Sequence, residues 1–205
     1  LVGVKFGTGG AQAKTWASNA YLPGVVCEHF RTSRIVALST GNVYGMTAVA
    51  GSGSSESDPL APGGEYAMSA LGRERVFEHF SRTLGIPLAL IRLNYATELR
   101  YGVLVDLATK VYGGEPVSLE MGYFNTIWQA DANELILRSL EHTKAPPAIF
   151  NVTGPKQLGV RELAQRLGEL LGKEVQFTGS ESAAAFLSDS RHATERFGSP
   201  GTSLD

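Results

Sequence analysis

The sequence predicts an α/β fold in which helices surround a mainly parallel sheet, and three observations support this. Short apolar runs alternate with amphipathic stretches of ten or more residues, as in strand-helix-strand units. The runs RIVALST (34–40) and PLALIRLN (87–94) are apolar at almost every position, like parallel strands buried on both faces. The chain has 205 residues, 43% of them hydrophobic, which is enough to bury a sizeable core.

The predicted elements alternate along the chain. Strands are expected at 34–40, 87–94, 115–121, 147–154 and 174–178, and helices at 11–31, 65–84, 101–112, 131–143, 159–172 and 189–197. In the fifth of these helices one face is expected to be apolar, formed by Leu163, Leu167, Leu170 and Leu171. Pro23 is expected to kink or split the first helix. The Gly-, Ser- and Pro-rich segment 47–64 is expected to be a loop, and a loop of this length is usually functional or disordered.

Composition excludes several classes of function. A net charge of -2 gives no electrostatic reason to bind nucleic acid or an acidic membrane surface. No apolar run reaches the roughly 18 residues that a transmembrane helix needs. The single cysteine, Cys27, cannot form an internal disulfide and fits a reducing, cytoplasmic location. With one cysteine and four scattered histidines, no metal site is expected.

Three positions suggest where chemistry takes place, because ligands of open α/β sheets bind beyond the carboxyl ends of the strands: STGNVYG (39–45), RLNYA (92–96) and Tyr66 after the long loop. Six short motifs that overlap these positions or follow them carry a resemblance to a known family. In chain order they are STGNVYG (39–45), YAMSALGRE (66–74), IRLN (91–94), IWQADANELILRSLE (127–141), FNVTGPKQLGVRELAQRLGELLG (150–172) and LSDSRHATERFGSP (187–200). Together and in this order they resemble the NAD-dependent epimerase/dehydratases, the extended branch of the short-chain dehydrogenase/reductase superfamily.

The resemblance implies a Rossmann-type parallel sheet, of which the second half is present, followed by a smaller C-terminal α/β substrate-binding region. We place the first part at 1–112 and the second at 113–205, with 147–154 returning to the sheet. The family's Gly-x-x-Gly-x-x-Gly turn has no counterpart here, and GVKFGTGG (3–10) fits the end of the fourth strand instead. The chain is therefore expected to be an N-terminally truncated fragment. The implied cofactor is NAD or NADP, and the implied substrate is a small, sugar-like carbinol or ketone.

The resemblance also assigns candidate catalytic residues. Thr40 corresponds to the hydroxyl that binds the reacting oxygen, and Tyr66 to the proton-transfer phenol. The family's lysine, one helical turn after that tyrosine, is Ala70 here. A phenol is a poor base at neutral pH, and a nearby cation lowers such a pKa by about 1–3. Arg73 could supply the missing charge, although it could equally form surface ion pairs with neighbouring glutamates.

The remaining site residues are assigned in the same way. Implied cofactor contacts are Gly3, Leu38, Ser39, Tyr66, Leu93 and Asn94. Candidate substrate contacts are Asn42, Asn94, Arg100, Phe124 and Trp128. Family members that use sugar nucleotides commonly carry arginine and histidine at the last two positions, so a nucleotide-diphosphate sugar is less expected here. The two aromatic rings fit a planar or sugar-ring ligand, or core packing. Arg100 fits either an anionic substrate or a solvated helix start.

Two further expectations follow from the resemblance. Asn19 corresponds to an asparagine that supports the active site through its backbone, or is an ordinary helix-surface residue. Asp131 is expected to be the N-cap of its helix.

A homodimer through the helices at 11–31 and 65–84 is possible, although inward packing explains their apolar residues equally well. The main alternative to an enzyme is a catalytically degenerate NAD(P)-binding sensor or regulatory protein, which Ala70 and Phe124 both favour. In a degenerate site, Ala70→Lys is expected to restore activity.

Overall fold

The computed structural model of the chain describes residues 11–203. Its α-helices are α1 Gln12–Trp16, α2 Leu22–His29, α3 Gly64–Leu84, α4 Val103–Gly113, α5 Gln129–Arg138, α6 Val160–Leu171 and α7 Arg191–Phe197. Its strands are β1 Ile35–Thr40, β2 Thr47–Ala48, β3 Leu88–Leu93, β4 Ala96–Thr97, β5 Val117–Ser118, β6 Tyr123–Phe124, β7 Ile127–Trp128, β8 Ala148–Val152, β9 Leu158–Gly159, β10 Phe177–Thr178 and β11 Ala184–Ala185. The predicted alternation of strands and helices is confirmed.

The central sheet is parallel and brings three strand ends to one edge. Within the described residues its order is β1-β3-β8, so the segment predicted to return to the sheet does so. Thr40 pairs with Leu93, and Leu93 pairs with Val152. The carboxyl ends of all three strands therefore lie side by side, at the edge where ligands of such sheets bind.

Successive side chains of β3 point to opposite faces of the sheet, and helices cover both faces. Leu88 and Leu90 pack with Cys27 of α2 and Phe77 of α3, whereas Ile91 belongs to a second cluster with residues of α5 and α7. Because side chains point to both faces and both are covered, the strand is apolar throughout. This is the pattern that predicted it.

A separate core lies between α4 and α6. It contains Leu107 and Val111 of α4, Phe124, and Val160 and Ala164 of α6. Helix α4 therefore packs against α6, across the boundary that the sequence places between residues 112 and 113. The predicted strands at 115–121 and 174–178 contract to β5 and β10, which pair with each other in parallel.

The first helix is split, but ahead of the proline. A π-helical turn at Ala17–Tyr21 separates α1 from α2, and Pro23 follows it in the first turn of α2. Pro23 has no N–H to donate to the preceding turn, and the carbonyl of Asn19, four residues earlier, accepts a hydrogen bond from Arg73 Nε instead. π-helical turns widen the backbone ladder and are frequent at functional sites. This one contains Asn19.

The long loop is held in place by backbone hydrogen bonds. Its short strand β2 pairs antiparallel with β11, and Ser54 N donates to Leu187 O at 2.9 Å. Near its far end Ala61 N donates to Val43 O at 3.0 Å. The loop thereby joins the end of β1 to the C-terminal region across the carboxyl edge of the sheet.

Two local expectations were wrong, the first of them in part. Leu163 and Leu167 of α6 pack against the core with Val160 and Ala164, as expected, but Leu170 and Leu171 are 76% and 39% exposed. Asp131 is not the N-cap of α5. That position is Trp128, and the Asp131 carboxylate accepts a hydrogen bond from the backbone N–H of Thr202 at 2.8 Å.

In the part of the chain that the structure describes, no helix has the length and apolarity to cross a bilayer. The same residues contain no group of three or more His, Cys, Asp or Glu side chains arranged to hold a metal ion.

Cys27 is expected to be chemically inert in the folded protein. Its side chain is 0% exposed, and burial raises the pKa of its thiol to about 11. Because the thiolate is the reactive form, an aromatic disulfide reagent at pH 8 should label it only as the protein unfolds. Labelling kinetics followed with and without urea check this. Fast labelling without urea would contradict the buried position.

Candidate functional site

Thr40 ends β1 and starts the turn that follows it. Its side-chain Oγ1 accepts a hydrogen bond from the backbone N–H of Asn42 at 3.2 Å, which caps the 3-10 turn Gly41–Val43. Because Oγ1 is the acceptor, the hydroxyl hydrogen can still donate to a bound oxygen. Thr40 is 7% exposed, and Asn42 is half-buried within the turn. Both lie at the carboxyl edge of the sheet.

Tyr66 is half-buried in the first turn of α3, which packs against the turn that follows Thr40. Ala70 lies one helical turn later on the same side of the helix. It is 1% exposed and packs with Val43 and Tyr44. The position of the family's lysine is therefore closed by apolar packing.

Arg73 turns inward toward Tyr66. Its Nη1 donates to Leu38 O at 2.6 Å, its Nε donates to Asn19 O at 3.4 Å, and its Nη2 donates to Asn19 Oδ1. Burial lowers the pKa of the guanidinium, and its electrostatic interaction with Tyr66 acts in the opposite direction. The surface pair foreseen for this stretch is made by Arg75, whose Nη1 lies 2.8 Å from Glu78 Oε2.

Asn19 links the π-helical turn to the Tyr66 turn. It is 0% exposed, so it is not a surface residue. Its Nδ2 donates to Ser69 Oγ at 3.0 Å, and Ser69 Oγ donates to Tyr66 O at 2.9 Å. Asn19 thus contacts Arg73 directly and is linked to the backbone carbonyl of Tyr66 through the Ser69 hydroxyl.

A buried ion pair lies behind these groups. Arg92 donates to both Glu74 oxygens, at 3.0 and 2.8 Å, and the two side chains are each 3% exposed. Ser39 Oγ donates to Glu74 Oε1 at 2.5 Å, and Arg92 Nη1 donates to Tyr44 Oη at 2.7 Å. Burial raises the pKa of Tyr44 to about 12. Sequence reasoning missed this network, although Glu74 and Arg92 both lie in motifs that it singled out.

Two of the predicted cofactor residues already form hydrogen bonds within the protein. The Ser39 hydroxyl donates to Glu74, and the Leu38 carbonyl accepts from Arg73. Leu93 is half-buried at the end of β3. Gly3 lies outside the described residues.

Asn94 is 2% exposed and holds the C-terminal region against the sheet. Its Nδ2 donates to Asn125 Oδ1 at 2.8 Å and to Phe186 O at 3.2 Å. Both donors of its amide are used within the protein, which indicates a positioning role.

The candidate substrate residues do not form one cluster. Phe124 is 2% exposed and belongs to the α4-α6 core, so the structure supports packing at this position. Arg100 is exposed, and its Nε lies 2.7 Å from Glu98 Oε1. Trp128 is half-buried and lines a cavity of about 830 Å³, which we call the Trp128 cavity.

No protein-family model matches the sequence, and no curated protein matches it either. Solved structures do resemble it. UDP-glucuronic acid 4-epimerase from Bacillus cereus, in complex with NAD, is 17% identical with a TM-score of 0.79, over 100% of this chain and 67% of that one. UDP-glucose 4-epimerase from Thermotoga maritima, with UDP-glucose, is 21% identical with a TM-score of 0.77, over 94% and 67%.

A third match is the dTDP-glucose 4,6-dehydratase DesIV from Streptomyces venezuelae, with NAD bound. It is 20% identical with a TM-score of 0.75, over 94% of this chain and 64% of that one. This chain thus spans about two thirds of the length of each of these proteins. The comparisons show that it has their Rossmann-type fold, which confirms the fold predicted from the sequence.

Proposed function

We propose that this chain carries the catalytic part of an NAD(P)-dependent epimerase/dehydratase-like oxidoreductase that acts on a sugar-like carbinol or ketone. The observation that supports it is the inward position of Arg73. We assign the role of the lysine that Ala70 replaces to the Arg73 guanidinium, which bonds to Leu38 O near the end of β1 and to Asn19.

The residues present fit a dinucleotide. A guanidinium has five N–H donors, and hydrogen bonds within the described residues use three of those of Arg73. Two donors remain, and the proposal assigns them to ribose hydroxyls of the cofactor. It assigns the nicotinamide to the backbone at Leu93, the last residue of β3. NAD(P), when bound, gives or takes the hydride.

The side chains of this protein handle the proton and the oxygen. Thr40 donates its hydroxyl hydrogen to the substrate oxygen and orients it. Tyr66 exchanges the proton of that oxygen at its own Oη, and the fixed charge of Arg73 stabilises the phenolate that forms. The Asn19 contacts hold Arg73 in place before the reaction begins.

One observation favours a second candidate, a dinucleotide-binding sensor without turnover. Ala70 is sealed by Val43 and Tyr44, so no charge reaches Tyr66 from that position. A sensor would bind NAD(H) or NADP(H) and show no hydride exchange with any carbinol or ketone offered.

Arg73→Ala tests the proposed role of the guanidinium in the full-length protein. We expect it to lower hydride exchange by roughly 10- to 1,000-fold, because the phenolate loses its stabilising charge. Arg75→Ala, on the same helix in the exposed pair with Glu78, is the matched control and should change the rate little. Equal rates in the two variants would contradict the role of Arg73. Cofactor binding without exchange in the unmodified protein would support the sensor, and absence of binding would refute both candidates.

A further inference from the structure

The Trp128 cavity lies beyond the carboxyl ends of β3 and β8. Its walls include Thr97 of β4, which follows β3, and Gly154, which follows β8, and they continue along α4 and the segment 199–203. Thr40 ends β1, which lies on the opposite side of β3 from β8 in the sheet. Among the described residues that line the cavity, none is Thr40, Tyr66 or Arg73. The proposed function leaves this cavity without a role.

The size and walls of the cavity suit a small organic molecule. A volume of about 830 Å³ falls within the roughly 300–1,000 Å³ of typical ligand sites. Leu104, Ala108 and Ile127 form apolar walls. At the rim, Leu99 and Tyr112 are 85% and 68% exposed. Large apolar side chains exposed around a concavity mark an interaction site.

The polar groups of the cavity indicate a neutral ligand. Glu98 is already paired with Arg100, and Lys156 is engaged in an interaction of its own. Trp128 is half-buried, and within the described residues its indole Nε1–H makes no hydrogen bond, so it is open to an acceptor on a ligand. The cavity therefore offers the Trp128 ring face and its N–H, together with the hydroxyls of Ser199, Thr202 and Ser203, without a charge that lacks a partner.

We propose that the Trp128 cavity binds a neutral, planar and largely apolar molecule that stacks on the indole ring and accepts a hydrogen bond from its N–H. This site is independent of the proposed oxidoreductase chemistry, since it uses none of the same side chains.

The probe is prodan, a neutral planar naphthalene ketone whose absorption overlaps the emission of tryptophan, so that it accepts excitation energy from a nearby indole. The chain has two tryptophans, so a Trp16→Phe variant leaves Trp128 as the only energy donor. In the full-length protein we expect saturable binding with quenching of Trp128. Anilinonaphthalene sulfonate, a planar anion, should bind more weakly.

Three substitutions locate the bound probe. Ala108→Phe fills the cavity from α4 and should weaken binding by at least about 10-fold. Lys110→Phe adds the same ring on the exposed face of α4 and should leave binding within about 2-fold. Trp128→Phe keeps an aromatic face without the donor and should weaken binding about 2- to 10-fold, read from the emission of prodan itself.

Several outcomes would overturn the proposal. The proposal is wrong if prodan shows no saturable binding, if the Ala108→Phe and Lys110→Phe variants bind it equally, or if the anion binds more tightly. It is also wrong if sedimentation of the protein alone shows a dimer that Ala108→Phe abolishes, because a second copy would then cover the cavity. If Ala108→Phe does not fold, Trp128→Phe and the comparison of the two probes still decide.

Discussion

Glu74→Ala is expected to lower the free energy of unfolding by about 3–5 kcal/mol, the largest effect of any single substitution predicted here. Removing the carboxylate leaves the Arg92 guanidinium, 3% exposed, without its bidentate partner in the interior. It also deprives the Ser39 hydroxyl of its acceptor. An unpaired buried charge costs far more free energy than the intact ion pair contributes to stability, because water cannot reach the charge.

Urea denaturation of the variant measures this. Glu78→Ala is the matched control on the same helix, since Glu78 pairs with the exposed Arg75 and Arg82. Exposed pairs contribute about 0–1 kcal/mol, so the control should unfold close to the unmodified protein. Replacing both Glu74 and Arg92 by apolar residues should recover part of the loss, because no charge then stays buried. A loss below about 1 kcal/mol for Glu74→Ala would mean that water enters this site.

The elements of the fold could be predicted because local signals agree with the tertiary structure. For α3, the predicted range 65–84 matches Gly64–Leu84, since Gly63 precedes the helix and Gly85, in left-handed backbone conformation, ends it. Likewise, β1 and β3 carry the continuous apolar pattern that two covered faces require. The bounds of the short strands were predicted less accurately, because β5 and β10 are fixed by pairing between distant segments and carry little periodicity of their own.

The candidate site could be predicted only in part. Sequence spacing puts Tyr66, Ala70 and Arg73 on one helix face, but it does not say whether that face meets the sheet or the solvent. That depends on the π-helical turn around Asn19, which no residue pattern predicted. The pairing of Glu74 with Arg92 was missed for the same reason, because it depends on how α3 is rotated about its own axis where it packs on β3. Phe124 and Trp128 look equivalent in sequence, yet the structure places one in a core and the other at a cavity.

Ala70→Lys, which the sequence suggests as the natural repair of the active site, is expected to harm the protein. Ala70 is 1% exposed and touches Val43 and Tyr44, so a lysine stem would overpack the cluster and bury its ammonium. Overpacking together with burial of a charge is expected to cost on the order of 2–4 kcal/mol of unfolding free energy. Met68→Lys adds the same charge two residues earlier at a side chain that is 47% exposed, and should be nearly neutral.

The same substitution also tests how the charge beside Tyr66 is supplied. With Arg73 already in place, a lysine one turn earlier adds a like charge at close range, so hydride exchange should not rise. Combined with Arg73→Ala, that repulsion disappears, and the double variant should be more active than Arg73→Ala alone if either position can supply the cation. Both measurements use the full-length protein, with unfolding followed in urea. A stable and more active Ala70→Lys single variant would show that the position has room for lysine and that Arg73 does not replace it.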